Sequence, residues 1–387
     1  MIPLKYNLRN LWVRRVTTGM TVLGTAAVVA CSCTLFGMVE GLRYSQKISG
    51  DPLDLIVLRP GADTETTSGF DMTKADEMAT LDGISRDENG TLLFAKEQLS
   101  IPVVERSNGS RANIIVRGVS PASAKLRPKF TIVEGRNFEP SKGECIVSRT
   151  LSKRFKGANL GGTLRCGDKE SYRVVGLFTA GGSAAESEVW VDIKDLARNN
   201  QQESAVNCVQ LRATTSETLI ALKNTIQNDT RFKLAAKKEA DYFEAQTRST
   251  NFLQFFGSVI AVFLTFGAMF AAANTMYSSV SSRTREIGTM RALGFARRDM
   301  LICFLGESII LSAMGGALGL LATLPLSAIS FGTLNFDTFT ESTVNFRLGP
   351  TVMIGAVGMT AAMGILGGLF PAIRAVRLQV ISALREL

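Results

Sequence analysis

Reactive side chains are sparse in this sequence, and their types exclude more chemistry than they allow. The 387 residues contain no histidine, which removes histidine general bases, histidine-bearing triads and histidine-ligated zinc. No G-x-x-x-x-G-K-[ST] phosphate loop occurs, so these residues do not bind and hydrolyse ATP by that route. Of the six cysteines, Cys31, Cys33 and Cys303 fall in or near apolar runs, and Cys145, Cys166 and Cys208 fall in the polar part of the chain. The latter three allow one internal disulfide, such as Cys145 to Cys166, or stay as buried thiols, and their spacing matches no metal motif. The densest charged constellation is Ser282 to Gly294, SRTREIGTMRALG, which places Arg283, Arg285, Glu286 and Arg291 beside Ile287, Met290 and Leu293 at helical spacing. Such a helix docks on a protein: its apolar face enters a groove while guanidinium and carboxylate groups fix the register. The same pattern also describes an amphipathic helix lying on anionic lipid.

Four apolar runs frame that segment, each near the roughly 20 residues needed to cross a bilayer as a helix. They predict transmembrane helices over 16–40, 251–278, 300–331 and 350–372, with the charged segment at 279–299 and a short loop at 332–349. Residues 1–15, with Leu4, Leu8, Leu11 and Trp12 on one face, read as an amphipathic helix, and 373–387 as a tail. The pattern Val28-Val29-Ala30-Cys31 loosely resembles a lipidation site, but the apolar run continues past Cys31 through Met38. A retained span fits that length better than a signal peptide, whose apolar core is about 7–15 residues. Within the spans, Gly315-x-x-x-Gly319 and Gly364-x-x-x-Gly368 allow close helix approach, either inside one subunit or at a dimer seam. Glu307 is the one carboxylate well inside an apolar run. It either pairs with a nearby arginine or takes part in coupling.

Basic residues flank the first span, the 279–299 segment and the end of the last span, which predicts that both termini and that segment are cytoplasmic. The 41–250 segment between the first two spans is then extracytoplasmic, and it carries 30 basic against 27 acidic residues. Most of the net charge of +9 therefore belongs to the flanks, a balance that suits topology and lipid headgroups and argues against a nucleic-acid surface. Two hundred residues exceed any simple connection, so 41–250 should be a folded domain. Alternating runs such as Leu53 to Leu58, Tyr172 to Phe178 and Cys208 to Leu211 predict strands, and 73–81, 149–155 and 216–227 predict helices. The fold class is thus a membrane protein of four transmembrane helices with a large α+β extracytoplasmic domain inserted between the first and second, in two lobes. Residues 237–258 read as a helix continuing into the second span, or as a linker ending at Asn251.

The motif Ser282-Arg283-x-Arg285-Glu286-Ile287-Gly288, then Met290-Arg291-Ala292-Leu293-Gly294, Glu307 and Gly315-Gly316-x-x-Gly319, resembles the FtsX/MacB-type ABC transporter permease family. Phe370-Pro371-Ala372-x-Arg374-Ala375 and Ala383-Leu384-Arg385 are similar too, although Val380 stands where the family commonly has proline. The segments Val116-Arg117-Gly118-Val119, Glu134-Gly135-Arg136-Asn137-Phe138 and Tyr172-Arg173-Val174-Val175-Gly176 resemble its periplasmic core domain. The resemblance implies a non-catalytic permease subunit in a bacterial inner membrane. It binds no cofactor itself and docks on a separate cytoplasmic ABC ATPase that holds ATP and Mg²⁺. A second permease copy or paralogue and a periplasmic adaptor are the other implied partners. Its function would be mechanotransmission, in which ATP hydrolysis drives extracytoplasmic movement for export or extraction of a hydrophobic or envelope substrate. The alternatives are a regulator of an extracytoplasmic enzyme such as a cell-wall hydrolase, and a receptor or scaffold with no ATPase.

Overall fold

A computed structural model describes residues 15–127, 129–167, 170–335 and 338–377. The amphipathic helix expected over 1–15 and the closing Ala383-Leu384-Arg385 lie outside them, Arg15 excepted. The chain divides into two compact units. The first takes its described residues from Met1–Glu40, Phe252–Ile329 and Phe346–Leu387, the second from Gly41–Asn251 and Ser330–Asn345.

Five helices carry the first unit: α1 (Arg15–Ser49), α2 (Glu239–Ser281), α3 (Thr284–Ala292), α4 (Arg297–Thr323) and α5 (Pro350–Arg377). All but α3 are long and apolar enough to cross a membrane. Helix α2 runs 43 residues with no break at Asn251, so the helical stretch read at 237–258 and the second apolar run are one element. The third run ends earlier than its expected limit at residue 331. Helix α4 stops at Thr323 and a 3-10 turn, Leu324–Ala328, follows. Pro325 explains the stop, because its ring removes an N–H donor and clashes with the preceding turn. Val29 and Cys33 of α1 pack on Val352, Ala356 and Met363 of α5 at the centre of this unit.

The second unit is built on one ten-stranded mixed sheet. Its strands are β1 (Asp54–Leu58), β2 (Phe94–Ser100), β3 (Ile115–Val119), β4 (Thr131–Gly135), β5 (Glu144–Ser148), β6 (Thr163–Cys166), β7 (Glu170–Thr179), β8 (Glu188–Asp192), β9 (Cys208–Arg212) and β10 (Ala235–Lys238). They lie in the order β10-β1-β9-β2-β3-β8-β5-β7-β4, with β6 paired to β7. The parallel pairs are β3 with β8 and β5 with β7.

Strand alternation sorts the core. Val116, Cys145, Val147, Tyr172, Val174, Val189 and Val191 share one cluster, while Ile146, Phe178 and Trp190 pack on the opposite face. Toward the other edge, Leu55, Val57, Val209 and Leu211 pack against Leu219, Leu222 and Ile226 of the helix Ser216–Asn228. Where two lobes were expected, several separate apolar clusters line a single sheet within one compact unit. Cys145 and Cys166 belong to the first of these clusters and Cys208 to another with Ile56, Leu58 and Tyr242; all three are free and buried, and burial pushes the Cys166 thiol up to about 12.

The stretch read as a loop at 332–349 is largely a β-hairpin, β11 (Ser330–Asn335) paired with β12 (Thr340–Asn345). It belongs to the second unit. Its alternation was concealed by polar residues, since Thr340, Glu341 and Thr343 are themselves buried.

Candidate functional site

Helix α3 holds the charged motif, and its three apolar residues divide between the chain's own packing and the surface. Ile287 is completely buried and clusters with Met276, Val280, Met300, Phe304, Ala372 and Ala375, with Met290 packed against them. Ile287 and Met290 are thus taken up by the chain's own helices, whereas Leu293, the third apolar residue of that face, lies outside the cluster. Arg283 and Arg291 also point inward. Arg283 Nη1 lies 3.0 Å from a Glu307 carboxylate oxygen, with the two side chains 8% and 4% exposed, and Arg291 Nη1 donates to the Val376 carbonyl at 3.0 Å. Glu307 thus has the arginine partner that its position allowed, supplied by the start of α3. Arg285, Glu286, Arg297 and Arg298 are exposed, and Leu293 is 75% exposed.

The glycine pairs pack inside the chain. A Cβ at Gly315 would stand 2.6 Å from Thr25 Cβ, and one at Gly319 would stand 2.6 Å from the Ala26 carbonyl oxygen, both on α1. Gly364 meets Ile309 and Ser312, and Gly368 meets Ser308, all on α4. These close approaches hold α1, α4 and α5 together. The outward residues of α2 include Phe252, Phe255, Phe263 and Phe270, each more than 60% exposed.

The second unit contains an ionic cluster that sequence patterns did not reveal. Arg117, on β3, is 3% exposed and meets three carboxylates: Nη1 lies 2.6 Å from Glu97, Nη2 2.8 Å from Glu65, and Nη2 2.6 Å from Glu188. Trp190 Nε1 donates to Glu188 at 2.9 Å, the Cys208 thiol faces Glu65 at 3.3 Å, and Arg127 adds a second guanidinium 2.9 Å from Glu97. Burial pushes the Arg117 pKa down, but Glu188, Glu65 and Glu97 outweigh it and hold it well above the usual value. Burial likewise raises Glu65, and Arg117 outweighs it to leave the carboxyl below its ordinary value. The available signal was a lone arginine inside the apolar run Ile115 to Val119.

Ligand atoms of Glu65, Glu97 and Cys208 lie within 4.8 Å of one another, a spacing that could hold a metal ion. Arg117 Nη1 already stands among them, 3.1 Å from Glu65, 2.6 Å from Glu97 and 4.0 Å from the Cys208 sulfur. A guanidinium fills the place of the cation, and burial holds Cys208 as a thiol.

Glu239 sits at the start of α2 beside this cluster, in the second unit and ahead of the apolar stretch 251–278. It accepts from Gln210 Nε2 and the Asp51 amide, both at 3.1 Å. Burial drives its pKa from 4.5 up to about 8. A carboxyl raised in the folded state contributes stability that is present below pH 4.5 and lost as pH rises through 8. Glu239→Gln should therefore gain about 2 kcal/mol over the wild type between pH 5 and 9, roughly half of what a shift of that size corresponds to at about 1.4 kcal/mol per pKa unit. Thermal unfolding of the intact protein across that range checks it, and parallel pH profiles would contradict it.

A membrane helix bundle with an α+β domain inserted after its first helix is the class of protein these observations define. Residues 18–229 match the MacB-like periplasmic core domain, and residues 258–380 the FtsX-like permease C-terminal domain. The chain belongs to the MacB/FtsX-type permease family, as its charged motif and span order implied. The macrolide export ATP-binding/permease protein MacB of Bdellovibrio bacteriovorus is 25% identical over 97% of this chain and 60% of its own length. The pyoverdine export ATP-binding/permease protein PvdT of Pseudomonas entomophila is 25% identical over 97% of this chain and 58% of its own length. This chain thus spans about 60% of those relatives. The periplasmic region of MacB from Actinobacillus actinomycetemcomitans is similar over 51% of this chain and 93% of that chain, at 10% identity and a TM-score of 0.39.

Proposed function

We propose that this chain is the membrane permease of an ATP-driven transporter of the MacB/FtsX type, with both termini and α3 on the cytoplasmic side of a bacterial inner membrane. ATP and Mg²⁺ are bound by an ATPase outside these 387 residues, which docks on the exposed side of α3. A second copy of the chain or a paralogue completes the permease. The substrate is hydrophobic or derived from the envelope, a reading supported by relatives named for export of macrolides and pyoverdine.

One observation carries this reading: α3 is fixed inward by Ile287 and the Arg283–Glu307 pair, while Arg285, Glu286 and Leu293 remain exposed. A short helix anchored in that way passes a push on its outer face to α4. The unbroken helix α2 then provides a continuous element reaching into the second unit.

Interface energy concentrates in a few central side chains, with arginine prominent among them. Arg285→Glu combined with Leu293→Asp should therefore weaken association with the ATPase more than tenfold, with the permease's own thermal stability unchanged. The measurement is co-purification and equilibrium binding in detergent or nanodiscs. Retained affinity would remove α3 from the docking surface. Met290→Asp is unsuitable for this test, because that side chain packs into the bundle.

A further inference from the structure

The hairpin β11–β12 lies in the chain between α4 and α5, yet it is held by residues of the inserted domain. Glu341 is 4% exposed and takes Arg106 Nε at 2.9 Å, with Arg154 paired to its other oxygen. Arg106 follows the short strand Val103–Glu105 and Arg154 follows the helix Arg149–Ser152, so both guanidinium groups stand on ordered elements. Asn113 Nδ2 donates to the Phe339 carbonyl at 3.1 Å, and the Thr343 amide donates to Ser187 Oγ at 2.8 Å. Gly332, opposite Thr343 on the neighbouring strand, makes room for the ion pair, because a Cβ there would overlap the Arg154 guanidinium and the Glu341 carboxylate.

One hairpin contact, from the Thr343 amide to Ser187, reaches the segment Ser183–Glu188. The Ala184 amide donates to Ser49 Oγ at the end of α1 at 2.8 Å. Glu188 is bound by Arg117, which also binds Glu65, and the Glu65 amide donates to the Tyr242 hydroxyl of α2 at 3.2 Å. A small cavity of about 60 Å³ is lined jointly by Asn335 and Ser342 of the hairpin, Glu188, Arg117 and Tyr242. Contiguous buried polar contacts thus lead from the hairpin to the starts and ends of helices elsewhere in the same unit.

We propose that Glu341 is a positioning residue: it clasps the hairpin to the inserted domain, so that displacement of α4 and α5 reaches Ser187, Glu188 and the Arg117 cluster. The inference rests on the proposed ATP-driven function and adds a second route of transmission beside α2. Loss of the carboxylate leaves two guanidinium groups without their shared partner.

The test is hydrogen–deuterium exchange on the full chain with its ATPase in nanodiscs, with and without ATP. Glu341→Gln and Gly332→Val are compared with wild type; the second variant displaces the ion pair without altering charge. In both, exchange over 330–345 should rise at least tenfold. The ATP-dependent change in exchange over 183–190 should disappear, while ATP hydrolysis stays within twofold of wild type. If hairpin exchange is unchanged in both variants, the clasp is wrong. If the hairpin loosens and the ATP response over 183–190 persists, the transmission role is wrong. Absence of any ATP response in wild type would instead overturn the proposed function, on which this inference depends.

Discussion

Glu307→Ala should destabilise the helix bundle by about 3–5 kcal/mol, the range found when one partner of a buried ion pair is removed. The remaining Arg283 is 8% exposed on its side chain, and its Nη2 has no hydrogen-bond partner among the described residues even in the intact pair. Glu307 is therefore its principal compensation. Relief by snorkelling, the usual escape of an arginine near a helix end, requires the side chain to reach the interface. Here that means withdrawing from between α3 and α4, which also removes the anchor of the proposed docking helix. Two further variants separate charge from packing. Glu307→Gln keeps the shape and a hydrogen bond and should cost about 1–2 kcal/mol. The double variant Arg283→Met with Glu307→Leu should recover most of the loss, since apolar replacement of a whole buried pair is often neutral or stabilising. Unfolding of the purified protein in mixed micelles measures all three. A Glu307→Ala cost below about 0.5 kcal/mol would show that the pair is solvated.

A larger effect is expected at Arg117. Arg117→Met leaves Glu65, Glu97 and Glu188 facing one another in the core, with Arg127 compensating only Glu97 directly. Removal of one partner from a single buried pair costs about 3–5 kcal/mol, and three carboxylates share this one. The loss should exceed about 5 kcal/mol, comparable with the whole stability of a marginal domain. The pH dependence gives the expectation its sign. In wild type the Glu65 pKa is lowered, so its contribution is present above the ordinary carboxyl pKa and is lost as pH falls through the lowered value. Without Arg117 the same buried carboxyl is raised, and its penalty is relieved as pH falls. The gap between variant and wild type should therefore narrow from pH 8 to pH 5, by about 1.4 kcal/mol per pH unit for each carboxyl that takes up a proton. Arg117→Lys should not rescue, because one ammonium cannot reproduce five donors in a planar fork. Limited proteolysis and thermal unfolding of the full chain report the result. A variant that melts within a few degrees of wild type at pH 8 would remove the cluster from the core.

Local sequence reached some of these features and missed others for a common reason. The apolar run at 251–278 announced a membrane helix because twenty consecutive residues suffice for that inference, and strands such as Tyr172 to Phe178 were visible through alternation two residues apart. Arg117 lies 52 residues from Glu65 and 71 from Glu188, so no window could assemble its cluster. Glu341 stands 235 residues beyond Arg106, and the stretch 332–349 that holds it read as a loop for the same reason. Ile287 and Met290 show a subtler limit: helical periodicity identified an apolar face correctly but could not say whether that face met a partner or the chain's own helices.

By itself, then, the sequence determined the four apolar helices, the inserted α+β domain and the family, since each follows from short contiguous patterns. Tertiary structure alone decided the inward turn of α3, the Arg283–Glu307 pair, the intramolecular seating of the glycine pairs, and the membership of the 330–345 hairpin in the inserted domain. Burial and ion pairing depend on which distant segments meet, and that information is carried by the packed chain as a whole.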